Sequence, residues 1–260
     1  MIIPSVKPGT LGSAARLTND VIAFVDFNND YGWAGNTAND LSNLSVKYST
    51  PGGYVSVVSG STAEPGYIDL DGSTDYLIAG STLSDFATVT AITIDAWVKL
   101  DTIAIRTIVS NNSTTTGLAN RGFAVISVAD GLGNWLPRVN VNSGVGSSSI
   151  ASFTGLTASA GQWVNLFVVI RDTGVPASAM VTDAKMFNPS GISASSFNLG
   201  IGGSSHGLTS TNALALGRRS TTATQYWDGS IGAVKIYNRA LSENEMNLNY
   251  NLSKKRYGHP

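Results

Sequence analysis

The 260-residue sequence contains no cysteine, two histidines and only three glutamates, Glu64, Glu243 and Glu245. The first absence excludes disulfides, thiolate metal sites and thiol catalysis. A chain of this length buries most of its apolar surface and needs no covalent staple. Scarce glutamate makes most acid–base enzymes hard to build, since the remaining acids are aspartates, many beside Gly, Asn or Ser, where they form turns. Charge is also sparse, with 16 Lys+Arg against 17 Asp+Glu and a net charge of -1. That balance exerts no general pull on nucleic acid or an anionic membrane, and neither partner is expected. The one compact basic run, Lys254-Lys255-Arg256, reads as a solvated tail. No apolar run approaches the ~18 residues of a membrane span. Met1-Ile2-Ile3-Pro4 breaks before the apolar core of a signal peptide could form, so synthesis and folding in a cytosol are expected.

What is present is alternation. In Ile92-Thr-Ile-Asp-Ala-Trp-Val-Lys-Leu100, one face carries Ile92, Ile94, Ala96, Val98 and Leu100, and the other Thr93, Asp95, Trp97 and Lys99. A period of two is what a strand with one core face requires. Comparable runs are Val21–Phe27, Tyr54–Val58, Tyr67–Leu70, Gly122–Val128, Arg138–Val141, Val164–Arg171, Met180–Met186, Leu214–Gly217 and Ile231–Tyr237. Val164–Ile170 is nearly continuous in apolar residues and predicts a central strand covered on both faces. Asp71-Gly72, Asp130-Gly131 and Asp228-Gly229 are tight-turn signals. Many short strands between such turns predict an all-β sandwich. One helix is expected from Ser242 to about Asn251, ending near Ser253, with Ser242 as N-cap, Glu245 as its capping-box partner and Leu241 and Met246 as a staple. Residues Met1–Asn19, with Pro4, Pro8, Gly9 and Gly12, read as an extended arm. The stretches Asn142–Gly161 and Ser190–Thr211 read as loops, the first hiding a short strand at Ile150–Phe153. The organisation is thus arm 1–19, sandwich 20–253 and tail 254–260.

Four segments carry a resemblance: Leu70-Asp-Gly-Ser-Thr-Asp-Tyr-Leu77, Ile92–Lys99, Gly161-Gln-Trp-Val-Asn-Leu-Phe-Val-Val169 and Trp227-Asp-Gly-Ser-Ile-Gly-Ala-Val-Lys-Ile-Tyr-Asn-Arg-Ala-Leu-Ser242. In order and spacing they resemble the concanavalin A-like jelly-roll sandwich, in its laminin-G/pentraxin-like branch, from about Val21 to Gly258. The resemblance implies an antiparallel jelly-roll β-sandwich, to which the residues themselves add the N-terminal extended arm and the short C-terminal helix. A narrower likeness lies in Val21–Phe27, Asp40-Leu-Ser42 and the ending Lys254-Lys-Arg-Tyr-Gly258, which resemble structural proteins of tailed phages. One departure stands out: where the family's last strand has Asp-Glu, this chain has Gly232-Ala233.

The fold hosts glucanases, whose relatives set alternate acids along one strand as acid and nucleophile or base. No such string occurs here. Asp95 stands alone in mid-strand and Glu64 lies in a Pro-Gly turn, so no enzymatic activity is expected. His206 and His259 read as surface residues, with no Gly-x-Ser-x-Gly elbow to accompany them. The family often holds Ca2+ at a sandwich edge, and the resemblance offers Asp75 and Asp228 as ligands, with turn stabilisation as the plainer role. No cofactor is otherwise required. Glycan platforms would draw on Trp33, Trp135, Tyr226 and Trp227, which flank loops, whereas Trp97 and Trp163 read as packing residues. The expected function is a non-enzymatic virion structural protein, a capsid decoration or cement protein assembled in the host cytoplasm. It would be held by its arm and tail to the major capsid protein or other virion proteins. The alternative is a carbohydrate-binding module that meets host-surface glycans as a receptor-binding or fibre component, or a cellular lectin. Self-association into a homo-oligomer is compatible with either.

Overall fold

A computed structural model describes residues 20–25, 33–34, 37–38, 55–58, 63–64, 66–79, 89–112, 122–142, 148–171, 180–189, 191–199, 208, 210, 212–220, 222 and 224–260. The arm 1–19, the Asp40–Ser42 segment and His206 lie outside the described residues. In chain order the strands are β1 (Val21–Val25), β2 (Trp33–Ala34), β3 (Thr37–Ala38), β4 (Val55–Val58), β5 (Ala63–Glu64), β6 (Tyr67–Asp71), β7 (Tyr76–Ala79), β8 (Ala91–Leu100) and β9 (Arg106–Ser110). They continue as β10 (Gly122–Ala129), β11 (Trp135–Asn142), β12 (Ser148–Ser152), β13 (Trp163–Arg171), β14 (Met180–Asn188), β15 (Gly191–Leu199), β16 (Ala215–Leu216) and β17 (Asp228–Tyr237). Helix α1 (Glu243–Ser253) and a 3-10 turn, Lys254–Tyr257, follow. Among the described residues these strands form an eight-stranded sheet, ordered β15-β14-β13-β8-β17-β6-β5 with β1 also on β17, and a nine-stranded sheet, ordered β12-β11-β10-β9-β16-β7-β4-β3-β2. Every ladder is antiparallel, and sequence-distant strands such as β8 and β17 are neighbours, as a jelly roll demands.

The period-two pattern fills the space between the sheets. Ile92, Ile94, Ala96, Val98 and Leu100 of β8 join Val164, Leu166, Val168 and Ile170 of β13 in one buried cluster with Ile108, Phe123, Val125 and Val139 of the facing sheet. Full burial of each such aliphatic side chain contributes ~1.5–3 kcal/mol. The outward residues Thr93, Asp95 and Trp97 of β8 and Asn165, Phe167 and Val169 of β13 are buried as well, and Phe167 and Val169 form a second cluster with Phe187 of β14 and with Leu241 and Met246 at the start of α1. Helix α1 starts as its residues dictate. The Ser242 side chain accepts from the Glu245 N–H while the Glu245 carboxylate accepts from the Ser242 N–H, a complete capping box.

Three expectations need correction. Residues 191–199, read as loop, form β15, which pairs along its whole length with β14. Its Ser-rich sequence suits an edge strand, which needs little apolar patterning. Asp228-Gly229 is not a turn but the start of β17, paired with β6 and β8. Gly229 holds φ +136°, and a Cβ there would lie 2.2 Å from the Lys99 carbonyl oxygen, so glycine serves close strand approach. The residues 254–260 are no solvated tail: Tyr257 and His259 are buried on the outer face of the eight-stranded sheet.

Candidate functional site

The aromatic candidates separate into two groups. Trp135, at the start of β11, and Trp227, just before β17, are both wholly buried, with ring centroids 6.1 Å apart in an edge-to-face pair. They fill the interior between the sheets, so neither offers a stacking face to a glycan, and their role is core packing. Tyr226 is half-buried and points elsewhere: its ring lies 6.1 Å from Tyr76, whose face carries the Arg218 guanidinium at 3.5 Å. The backbone of Trp33 opens β2, at the end of the nine-stranded sheet.

The proposed calcium pair does not fit a divalent cation. Asp228 faces the Arg106 guanidinium at 3.6 Å, and that same guanidinium donates to the carbonyls of Gly72 and Tyr226. A cation already occupies the position. Asp75 is buried and accepts from the Thr74 hydroxyl at 3.4 Å. The carboxylate that organises this turn is Asp71, the first residue of the Asp71-Gly72 turn signal. It accepts the backbone N–H groups of Ser73, Thr74 and Asp75 and both neighbouring hydroxyls. Desolvation alone would raise its pKa; these hydrogen bonds outweigh it and hold the carboxyl well below the usual range. Among the described residues no group of three or more His, Asp or Glu gathers around a common point.

On the outer face of the eight-stranded sheet the chain end closes over β8. Trp97 stacks on Tyr257 at 4.3 Å, donates its indole N–H to the Ser253 hydroxyl, and meets the edge of His259 at 5.0 Å. Tyr257 also packs on Trp163 at 4.8 Å and accepts the Ala233 N–H at its hydroxyl. The Gly232-Ala233 departure now has a physical reason. A Cβ at Gly232 would lie 2.4 Å from the Tyr257 hydroxyl and 2.6 Å from its ring carbons. The chain has a glycine where the tyrosine ring presses. His259 is buried rather than superficial, with Nε2 at 2.9 Å from the Trp163 carbonyl, and desolvation lowers its pKa.

Asp95, the lone mid-strand acid, is buried beneath α1. Its carboxylate accepts from Asn165 at 2.7 Å and Asn249 at 3.3 Å, with Lys235 at 3.9 Å. Burial pushes its pKa up against the opposing pull of Lys235 and the two amides. This is a structural polar knot joining helix to sheet. A groove of about 380 Å³ runs beside the start of α1, floored by Val169, Leu241 and Met246. Its cations are matched within it, Arg171 by Asp183 and Lys185 by Glu243 at 2.5 Å.

An antiparallel jelly roll of two large sheets, closed by a C-terminal helix, defines a lectin-like sandwich. The sequence matches the family Laminin_G_3, described as the concanavalin A-like lectin/glucanases superfamily, over residues 71–247, and the chain belongs to that family. No curated protein matches it. Among solved structures it is similar to Trypanosoma rangeli sialidase in complex with sialic acid, at TM-score 0.60 and 13% identity, covering 94% of this chain and 34% of that one. It is also similar to the botulinum neurotoxin serotype D binding domain, at TM-score 0.54 and 14% identity, covering 89% of this chain and 51% of that one. The chain therefore spans about half of the toxin domain and a third of the sialidase, and at these identities the likeness is one of fold.

Proposed function

We propose that the protein is a non-enzymatic structural component of a phage virion, a capsid decoration or cement protein that displays a lectin-like sandwich. The observation that carries this reading is the part played by the Lys254–Gly258 ending, the segment that resembles tailed-phage structural proteins. Each of its last three residues has a defined place in the fold. Arg256 donates to the Gly66 carbonyl, Tyr257 is the buried stacking residue on Trp97, and Gly258 adopts φ +75°, which a side chain resists. In this fold the segment is a packed structural element rather than a basic tail. Because residues 254–260 pack within the molecule, the attachment in this reading falls to residues 1–19. That arm joins the sandwich at Asp20, whose carboxylate pairs with Arg239 at 2.8 Å and whose carbonyl accepts the Asn238 N–H. A stable attachment needs ~1,000 Å² of contact or sharing among copies. Deleting residues 1–19 tests this. Loss of co-sedimentation with purified particles, with the sandwich still folded, is expected; full retention would contradict it.

The second reading, a carbohydrate-binding module, is supported by membership of a lectin superfamily. A few weak sites repeated on a particle would gain ~10²–10⁴-fold in avidity.

A further inference from the structure

His259 is 3% exposed, and both of its ring nitrogens are in use. A carbonyl oxygen only accepts, so Nε2, at 2.9 Å from the Trp163 carbonyl, carries the proton and donates. Nδ1 is then left to accept from the Tyr250 hydroxyl at 3.1 Å. The neutral imidazole is thereby fully satisfied. A second proton would take the acceptor away from Tyr250 and place a full charge where water has little access.

The surroundings do not answer that charge. From the 3-10 turn the Lys254 ammonium acts on the ring as a like charge, and it lies 5.7 Å from the centre of the Tyr250 ring. On β8, Trp97 meets the ring at 5.0 Å, and the acids before and after it are engaged, Asp95 with Lys235 and Asp101 with Lys99. From α1 the Tyr250 ring lies at 5.8 Å, and β13 contributes the Trp163 carbonyl. Arg256 is turned away, donating to the Gly66 carbonyl. Among the described residues no carboxylate pairs with the imidazole.

The ring is aimed by a chain reversal. Gly258 takes φ +75°, and the His259 N–H returns to the Lys254 carbonyl at 3.0 Å. Residues 254–260 therefore hold the outer face of β8 by two buried anchors, Tyr257 on Trp97 and His259 beside it, and the second can change its charge near neutral pH. We propose that the segment Lys254–Pro260 is an acid-sensitive latch, which neutral His259 keeps closed over Trp97 and protonated His259 releases, uncovering the Trp97 indole. Burial, together with Lys254, holds the docked imidazole below its ordinary 6.5, against the opposing pull of the Trp163 carbonyl. A released ring returns to 6.5, so docking is fully favoured above that value and is lost as pH falls through the docked ring's lower pKa. Between the two the released fraction rises by up to about tenfold per pH unit.

The test is amide hydrogen exchange on the intact protein from about pH 7.5 to about pH 5, corrected for the intrinsic effect of pH and read on residues 254–260. Protection of the Gly258 and His259 amides falls by on the order of tenfold while that of β8 and β13 holds. His259→Gln, whose side chain can donate to Trp163 and accept from Tyr250, stays closed and loses the pH dependence. Should that variant fail to fold, an NMR titration of the wild-type imidazoles, assigned with His206→Gln, shows His259 protonating below 6.5. Protection that ignores pH, an equal fall in His259→Gln, a fall shared by β8 and β13, or an imidazole that titrates at or above 6.5 overturns the proposal.

Discussion

Substitution of Gly232 by alanine probes the contact that explains this chain's departure from its family. The added methyl would meet the Tyr257 hydroxyl at 2.4 Å and its ring at 2.6 Å. The tyrosine has little room to retreat, being stacked between Trp97 and Trp163 and hydrogen-bonded to the Ala233 N–H at 2.9 Å. Overpacking of this kind costs ~1–3 kcal/mol. Losing the hydrogen bond adds ~1 kcal/mol. Replacing glycine returns ~0.4–1 kcal/mol through the unfolded chain. The net expectation is a destabilisation of ~1–3 kcal/mol, read as a lower urea midpoint at unchanged slope. The reasoning makes a sharper demand in the Tyr257→Ala background. There the three atoms nearest the methyl are removed, so most of the cost of Gly232→Ala disappears, and the double-mutant cycle returns it as coupling energy. Equal cost in both backgrounds would refute the contact as the cause.

Trp227→Ala should destabilise by ~3–5 kcal/mol, as for any large buried aromatic; thermal melts would check this, and a stable variant would contradict its core role. Ser242→Ala removes the cap of α1 and should cost ~1 kcal/mol, measurable in urea. Glu245 is held down to about 2, from 4.5, chiefly by its hydrogen bond to Arg239. Its contribution is therefore complete above pH 4.5 and lost as pH falls through about 2. Melting temperature should decline across that window, less steeply in Glu245→Gln. Calcium at millimolar concentration should leave the melting temperature unchanged, because Arg106 already neutralises Asp228; a rise of several degrees would restore a metal site there.

The sandwich was legible because β8 alternates in sequence, because the nearly continuous apolar run of β13 marks a strand covered on both faces, and because the capping box around Ser242 and Glu245 is a local code. Edge strand β15 was not, since a strand with one neighbour is specified by its hairpin partner more than by apolar pattern. The site residues were harder. Trp135 and Trp227 flank loop signals in sequence, yet β11 and β17 bring both rings into the core. Arg219 and His259 are polar residues that composition assigns to the surface; tertiary contacts from distant strands bury them. The Gly232–Tyr257 contact joins positions whose proximity follows only from folding the chain end back over β8 and β17. The one sequence cue was the missing Asp-Glu pair itself.

The virion reading is tested most directly by quantitative mass spectrometry of purified phage particles, scaling this protein against the major capsid protein. A decoration role predicts copies in the hundreds per particle, comparable with the shell lattice. Complete absence from intact particles would contradict it and leave the carbohydrate-binding module in its place.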